Sequence, residues 1–142
     1  MPPLTCRADL TDASFVGANV TSAEFVGADL SRADLTGAIA HDANFARAYL
    51  TRTRLRGADL TMTFLTWTFL GHADLTGADL SGAYMTGAYM TGAYLGDADL
   101  SGATLISAYL GKANLTGAKV VTAILDGADL TGAIMPDGTS IG

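Results

Sequence analysis

The chain has one cysteine, few charged residues and no long apolar run, and each shortage excludes a class of protein. With Cys6 alone, neither an internal disulfide nor a cysteine-rich metal site can form. The chain has 8 Lys or Arg against 14 Asp or Glu, and its net charge of -6 argues against direct binding to nucleic acid, which requires clustered cations. No stretch of about 18 apolar residues occurs, so we expect no membrane span.

The N-terminal sequence Met1-Pro2-Pro3-Leu4 lacks the basic segment and apolar run of a signal peptide. We therefore expect a cytoplasmic protein. The length of 142 residues suits one domain, and hydrophobic residues, many of them alanine, make up 49% of the chain. This composition indicates an ordered fold and not a disordered acidic chain.

A period of five residues dominates the sequence. Every fifth residue from position 8 to position 133 is small, and all are alanine except three, Thr53, Thr63 and Thr68. Two positions after each comes a large apolar residue, most often leucine, and Ala40 is the exception. The position between them is often Asp or Asn, and Thr or Ser and then Gly frequently follow.

This period fits neither a helix, which would spread the apolar positions around its whole surface, nor a continuous strand, whose faces alternate every two residues. A turn in every repeat solves the problem. Three residues are extended, with both apolar ones inward and the middle one outward, and the Thr/Ser-Gly pair bends the chain. Such coils stack about 4.8 Å apart. The sequence therefore predicts an all-β solenoid stabilised mainly by its stacked apolar residues.

Outward residues that recur at intervals of 20 indicate the length of one coil. The recurring sets are Tyr49, Phe69, Tyr89 and Tyr109; Asp59, Asp79 and Asp99; and Arg32, Arg52 and His72. A coil with four five-residue sides would stack each set into a ladder.

The run Ala73-Asp74-Leu75-Thr76-Gly77-Ala78-Asp79-Leu80-Ser81-Gly82 resembles the pentapeptide repeat family, whose pattern is A(D/N)LXX. The resemblance extends over residues 8–137 and leaves only short non-repeat termini in a single domain of residues 1–142. It implies a right-handed quadrilateral β-helix. On this expectation the chain forms about 6.5 coils of four five-residue repeats, a rod about 30 Å long.

Outward aromatic residues are the candidate partner-binding surface, because clustered aromatic side chains often anchor interfaces. We expect a ladder on one side, two rings on the preceding side and one ring at the corner between them: Tyr49, Phe69, Tyr89 and Tyr109; Phe64 and Tyr84; and Trp67. The alternative is that the rings only stack on one another to stabilise the surface. Residues 52–72 depart most from the repeat, either as surface variation or as a binding patch.

Three aspartates, Asp59, Asp79 and Asp99, form a predicted acidic ladder. Some pentapeptide repeat proteins protect DNA gyrase from quinolones with an acidic rod that imitates duplex DNA, so the resemblance implies gyrase or topoisomerase as a candidate partner. The arginines between residues 47 and 56 interrupt the acidic surface, and the dimer module or projecting loops of protective members are not visible. Alternatively, Asp is the preferred outward residue of the repeat, solvated or bonded to nearby backbone.

Residues with catalytic or metal-binding chemistry do not cluster in the predicted coils. His41 and His72 fall on different sides, and Cys6 precedes the first clear repeat without a nearby histidine. We therefore expect no catalytic residue, no metal and no cofactor.

The sequence thus favours a non-catalytic scaffold that binds an unidentified protein partner, with a gyrase-binding DNA mimic as the alternative. Self-association through the aromatic side or the solenoid ends is a further expectation, since open backbone at an end favours pairing with another copy. The near-identical repeats in residues 82–92 leave a designed consensus solenoid as another alternative.

Overall fold

The computed structural model describes residues 7–142, and no helix occurs among them. The backbone consists of single-residue parallel β-bridges, each followed by a two-residue turn. Every parallel bridge joins an outward residue to the one 20 positions later, from Asp9↔Asp29 to Asn114↔Ile134. Successive coils therefore stack in register, with the interval that the recurring outward residues predict.

The bridges form four columns, which we number as sides 1 to 4 in chain order. Side 1 carries the outward residues Asp9, Asp29, Tyr49, Phe69, Tyr89, Tyr109 and Asp129. Side 2 carries Ser14, Asp34, Arg54, Asp74, Tyr94, Asn114 and Ile134. Side 3 carries Asn19, Ile39, Asp59, Asp79, Asp99 and Lys119. Side 4 carries Glu24, Asn44, Phe64, Tyr84, Thr104 and Ile124.

Backbone hydrogen bonds between coils hold the stack together. The Leu10 N–H donates to the Asp29 carbonyl oxygen (2.7 Å), and the Asp29 N–H donates back to the Ala8 carbonyl oxygen (2.8 Å). Within the coil, the Ala13 N–H donates to the Leu10 carbonyl oxygen (3.0 Å) and closes the turn. This pattern repeats along the rod, so the inner coils bond their backbone N–H groups without long strands, except that of the first turn residue.

The second turn residue has a positive φ in every repeat from Asp12 to Gly132. Glycine adopts this conformation readily, but 13 of these positions hold another residue, including Trp67 at φ 55°. The left-handed conformation costs a non-glycine residue roughly 1–2 kcal/mol. We infer that stacking of the coils, and not the local sequence alone, imposes the turn.

The inward side chains form one core that is fully buried through the middle coils. Near the N-terminal end, Phe25 stacks on Phe45 with ring centroids 5.0 Å apart, and Phe15 contacts Phe25 edge-on at 5.9 Å. Most apolar residues of the first and last coils are only partly buried, because a neighbouring coil covers them on one side only; Ala133, beside the C-terminal tail, is fully buried.

The threonines that replace alanine are buried and bond to backbone oxygens. The Thr53 hydroxyl donates to the Leu30 carbonyl (2.8 Å) and the Thr68 hydroxyl to the Phe45 carbonyl (2.8 Å), each in the preceding coil. The Thr63 hydroxyl bonds within its own turn. Within residues 7–142 no buried side-chain nitrogen or oxygen lacks a partner, so the side chains of residues 52–72 fit the coil without a buried unsatisfied polar atom.

The C-terminal tail folds back on the last coil. Ile134 and Ser140 form an antiparallel bridge, and the Gly132 N–H donates to the Ile141 carbonyl oxygen (2.7 Å). The Ile141 N–H donates to the Ala133 carbonyl oxygen (2.9 Å). The tail therefore covers side 2 of the terminal coil.

Candidate functional site

Four aromatic rings stack on side 1 along the axis of the rod. The ring centroids of Tyr49 and Phe69 lie 4.7 Å apart, those of Phe69 and Tyr89 4.9 Å, and those of Tyr89 and Tyr109 4.8 Å. All three interplanar angles are 11° or less. The spacing follows from the coil separation, which places outward residues of successive coils at stacking distance. We call these four residues the aromatic ladder.

Two more predicted residues, Phe64 and Tyr84, stack on side 4. Their ring centroids lie 5.1 Å apart at an interplanar angle of 10°, and each residue is 40% exposed. The pair lies on the side that precedes the aromatic ladder, as the sequence predicts.

Trp67 occupies the turn between side 4 and side 1. Its ring is tilted by 48° against Tyr89, with centroids 6.4 Å apart, and the residue is 40% exposed. Its six-membered ring covers Gly87, the turn residue one coil later, and Gly87 is buried. Trp67 thus extends the apolar surface of the aromatic ladder around the corner.

A groove of about 430 Å³ opens between Trp67 and the aromatic ladder, and its lining residues are Arg47, Tyr49, Trp67, Phe69 and Tyr89. Arg47 occupies the same corner as Trp67, one coil earlier. The sequence analysis selected the four aromatic residues but not Arg47, although the interval of 20 between Arg47 and Trp67 places them in one column.

Arg7 closes the N-terminal end of the aromatic ladder. Its guanidinium carbon lies 4.0 Å from the centroid of the Tyr49 ring, within the range of a cation–π contact. One of its terminal nitrogens lies 3.9 Å from the Asp29 carboxylate. The first ring is therefore covered, whereas Tyr109, near the other end, is 41% exposed.

Ion pairs involve five of the eight cationic side chains. They are Arg7 with Asp29, Arg32 with Asp12, Arg54 with Asp34, Arg56 with Asp74, and Lys119 with Asp99. Within residues 7–142, Arg47, Arg52 and Lys112 have no carboxylate within 4.0 Å. All three lie at the two corners that border side 1, a distribution that the sequence analysis did not identify.

Outward Asp and Asn residues accept a hydrogen bond from the first turn residue that follows them. The Thr61 N–H donates to Asp59 Oδ1 (3.0 Å), and the Ala46 N–H donates to Asn44 Oδ1 in the same way (3.0 Å). This contact explains the preference of the repeat for Asp or Asn, and it identifies backbone bonding as a structural role of these residues. Aromatic residues at the same position cannot supply this acceptor.

The predicted acidic ladder is present on side 3, where Asp59, Asp79 and Asp99 occupy consecutive coils. Asp99 also pairs with Lys119, whose Nζ lies 3.8 Å from its carboxylate. Hydrogen bonds from Ser101, assisted by the charge of Lys119, hold the pKa of Asp99 below the usual aspartate value. The acidic side is therefore partly neutralised at its C-terminal end.

The two histidines lie apart, with His41 Nδ1 2.7 Å from Thr61 Oγ1 and His72 over Gly92. In the part of the chain that the structure describes, no three His, Cys, Asp or Glu side chains come together as metal ligands do. Cys6 lies outside the described residues. No helix within residues 7–142 has the length and apolarity to cross a bilayer.

Solved structures that are similar to this chain include those of pentapeptide repeat proteins. A protein of the Arabidopsis thaliana thylakoid lumen is 31% identical with a TM-score of 0.51, and the match covers 70% of this chain and 63% of that one. Rfr23 from the cyanobacterium Cyanothece 51142 is 27% identical with a TM-score of 0.51, covering 82% and 86%. QnrB1, a plasmid-mediated fluoroquinolone resistance protein, is 18% identical with a TM-score of 0.55, covering 91% and 80%.

No curated protein sequence is significantly similar to this chain. The family described as "Pentapeptide repeats (8 copies)" matches residues 7–39, 28–66, 65–97, 83–120 and 98–135. These matches span nearly all the residues that form the four bridge columns. The chain therefore belongs to the pentapeptide repeat family.

Proposed function

We propose that this protein is a non-catalytic scaffold, a right-handed solenoid of about 6.5 coils, whose side 1 binds a protein partner. The observation that supports this function is the aromatic ladder, which continues through Trp67 around a corner and borders a groove of about 430 Å³. Aromatic residues and arginine at a concave surface are typical anchors of protein interfaces.

Stacking alone does not account for the aromatic ladder. An aromatic pair contributes about 0.5–1.5 kcal/mol beyond its area burial. The Asp or Asn that it replaces would supply a hydrogen bond of about 0.5–1.5 kcal/mol. The exchange is therefore close to neutral for stability, and it leaves Tyr109 41% exposed beside the exposed ring of Trp67. A partner that covers these rings provides the gain that the free protein lacks.

Replacing Phe69 and Tyr89 by serine tests this function. We expect the double variant to remain folded and to lose its partner in affinity purification from its native cells, or to lose self-association measured by light scattering. Tyr94→Ser is the matched control, because Tyr94 is 51% exposed but lies on side 2. If the double variant retains the molar mass and every partner of the wild type, side 1 is not the binding surface.

A second candidate function, a gyrase-binding DNA mimic, is supported by two neighbouring carboxylates. Asp59 and Asp79 are stacked on side 3, and within residues 7–142 neither has a cation within 4.0 Å.

A supercoiling assay with gyrase, with and without quinolone, tests the DNA-mimic function. Replacing Asp59, Asp79 and Asp99 by asparagine removes the charge and keeps the oxygen that accepts from the turn. Loss of inhibition or protection in this variant supports the mimic; no effect of micromolar wild type excludes it.

A further inference from the structure

The cations without an ion pair are concentrated around the aromatic ladder. Arg47 lies at the corner between sides 4 and 1, and Arg52 and Lys112 lie at the corner between sides 1 and 2. Of the five paired cations, Arg7 and Arg32 also border side 1, but each is neutralised there by an aspartate of the first two coils, and the other three lie on or beside sides 2 and 3. Side 1 is thus the place where positive charge remains uncompensated in a protein of net charge -6.

Side 1 also lacks acidic residues over four consecutive coils. Its outward positions and both bordering turns contain no Asp or Glu in residues 46–52, 66–72, 86–92 and 106–112. We call this surface the cationic aromatic strip. Its nearest acidic neighbours on side 1 are Asp29, which Arg7 pairs, and Asp129 in the terminal coil. The strip therefore has a positive local potential, which attracts negatively charged partners.

The dimensions of the strip suit a short extended segment. Three coil steps separate Arg47 from the level of Lys112, about 14 Å at 4.8 Å per step. An extended chain advances about 3.3 Å per residue, so about four residues cover this distance. The groove beside Trp67 is open and lined mainly by aromatic rings, and it can receive one apolar side chain of such a segment.

We propose that the cationic aromatic strip binds an acidic, extended segment of a partner protein that carries one aromatic or aliphatic anchor. This inference rests on the proposed function of side 1 and specifies the chemistry of the partner. The anchor lies in the groove against Trp67 and Phe69. Carboxylates on the two sides of the anchor face Arg47 and Arg52 one coil before the groove and Lys112 two coils after it. A nucleic acid suits the surface less well, because the net charge of -6 repels a long polyanion.

Selection from a random peptide display library, with immobilised protein, tests the chemistry without assuming a sequence. Peptides that also bind an Arg47→Gln/Arg52→Gln variant are removed beforehand. We expect the remaining peptides to be enriched in Asp and Glu around an aromatic or aliphatic residue. Enrichment of neutral or basic peptides, or failure to select any peptide, overturns the proposal.

Fluorescence of Trp67, the only tryptophan of the chain, then measures affinity at the groove itself. We expect the Kd of a selected peptide to rise about tenfold in the Arg47→Gln/Arg52→Gln variant and to rise with salt. Arg54→Gln, on side 2, is the control and should leave the Kd unchanged. Equal Kd values for the wild type, Arg47→Gln/Arg52→Gln and Arg54→Gln contradict the proposal. Tighter binding of a twelve-nucleotide oligothymidylate than of the peptides also contradicts it.

These results separate the inference from the function on which it rests. If Phe69→Ser/Tyr89→Ser abolishes binding of the native partner while the selected peptides are not acidic, side 1 is the binding surface and the proposed chemistry is wrong. If Phe69→Ser/Tyr89→Ser retains the native partner, the proposed function of side 1 is itself wrong.

Discussion

The ring of Trp67 occupies the space in which a Cβ of Gly87, one coil later, would lie. Gly87 is therefore buried, whereas Gly77, whose φ of 68° is nearly the same as the 67° of Gly87, is exposed with open space around it. The orientation of Trp67 depends on the absence of a side chain 20 positions away. Glycine at this turn consequently has a packing role in addition to its conformational one.

Gly87→Ala should release Trp67 from the surface of the coil. Gly77→Ala shares the backbone cost of a left-handed alanine, about 1–2 kcal/mol, but meets no neighbour within 4 Å. We expect Gly87→Ala to lower the thermal midpoint further than Gly77→Ala and to shift the Trp67 emission to longer wavelength. Equal midpoints and unchanged emission would show that the contact between Trp67 and Gly87 is absent in solution.

Asn44→Ala should destabilise the protein by about 0.5–1.5 kcal/mol, because it removes the side-chain oxygen that accepts from the Ala46 N–H. Asn44→Asp retains this acceptor and should change the free energy of unfolding by much less. Denaturant unfolding of both variants measures the difference. Similar losses for alanine and aspartate would mean that the hydrogen bond does not stabilise the turn.

Acid should destabilise the solenoid. Hydrogen bonds from Ser31 hold the pKa of Asp29 below its ordinary value of 3.8, and those from Ser101 do the same for Asp99. A carboxyl whose pKa is lower in the folded state contributes stability above its unfolded pKa and loses it as the pH falls through the folded pKa. These two groups should therefore leave the thermal midpoint nearly constant above about pH 5, and the midpoint should decrease once the pH is below about 4. A midpoint that stays constant down to about pH 2 contradicts this assignment.

We propose that the terminal coil allows self-association. The backbone N–H groups of Val120, Leu125 and Leu130 have no backbone acceptor within residues 7–142, and the tail covers only side 2. Light scattering of the 142-residue chain should show a molar mass that rises with concentration. Val121, at the same end and 68% exposed, offers a test, since Val121→Lys should reduce the effect. A constant monomer mass at high concentration excludes this association.

The repeat predicts the fold well because each structural rule acts within five residues or at an interval of 20. Alternation of small and large apolar residues identifies the inward side chains, and recurrence at 20 brings Tyr49 against Phe69. Positive φ values at non-glycine turns were not foreseen, because stacked neighbours impose them against local preference. The role of Asp in bonding the turn was one of two alternatives, since composition alone does not distinguish it from solvation.

The candidate surface could be predicted only in part. The interval of 20 identifies the aromatic residues, but Arg47, Arg52 and Lys112 become informative only when the ion pairs of the other five cations are known. Such pairing depends on distances between coils and corners that a sequence does not contain. The partner, and the cytoplasmic location expected from the N-terminal sequence, remain predictions.

Site-specific photo-crosslinking tests the central claim, that side 1 is the partner-binding surface, most directly. Benzoylphenylalanine placed at Tyr109 on side 1 or at Tyr94 on side 2 samples two exposed tyrosine positions, 41% and 51% exposed, in the same fold. After irradiation in its native cells, the account predicts a discrete adduct of higher mass from position 109 and none from position 94. Equal labelling at both positions, or none at position 109, would contradict it.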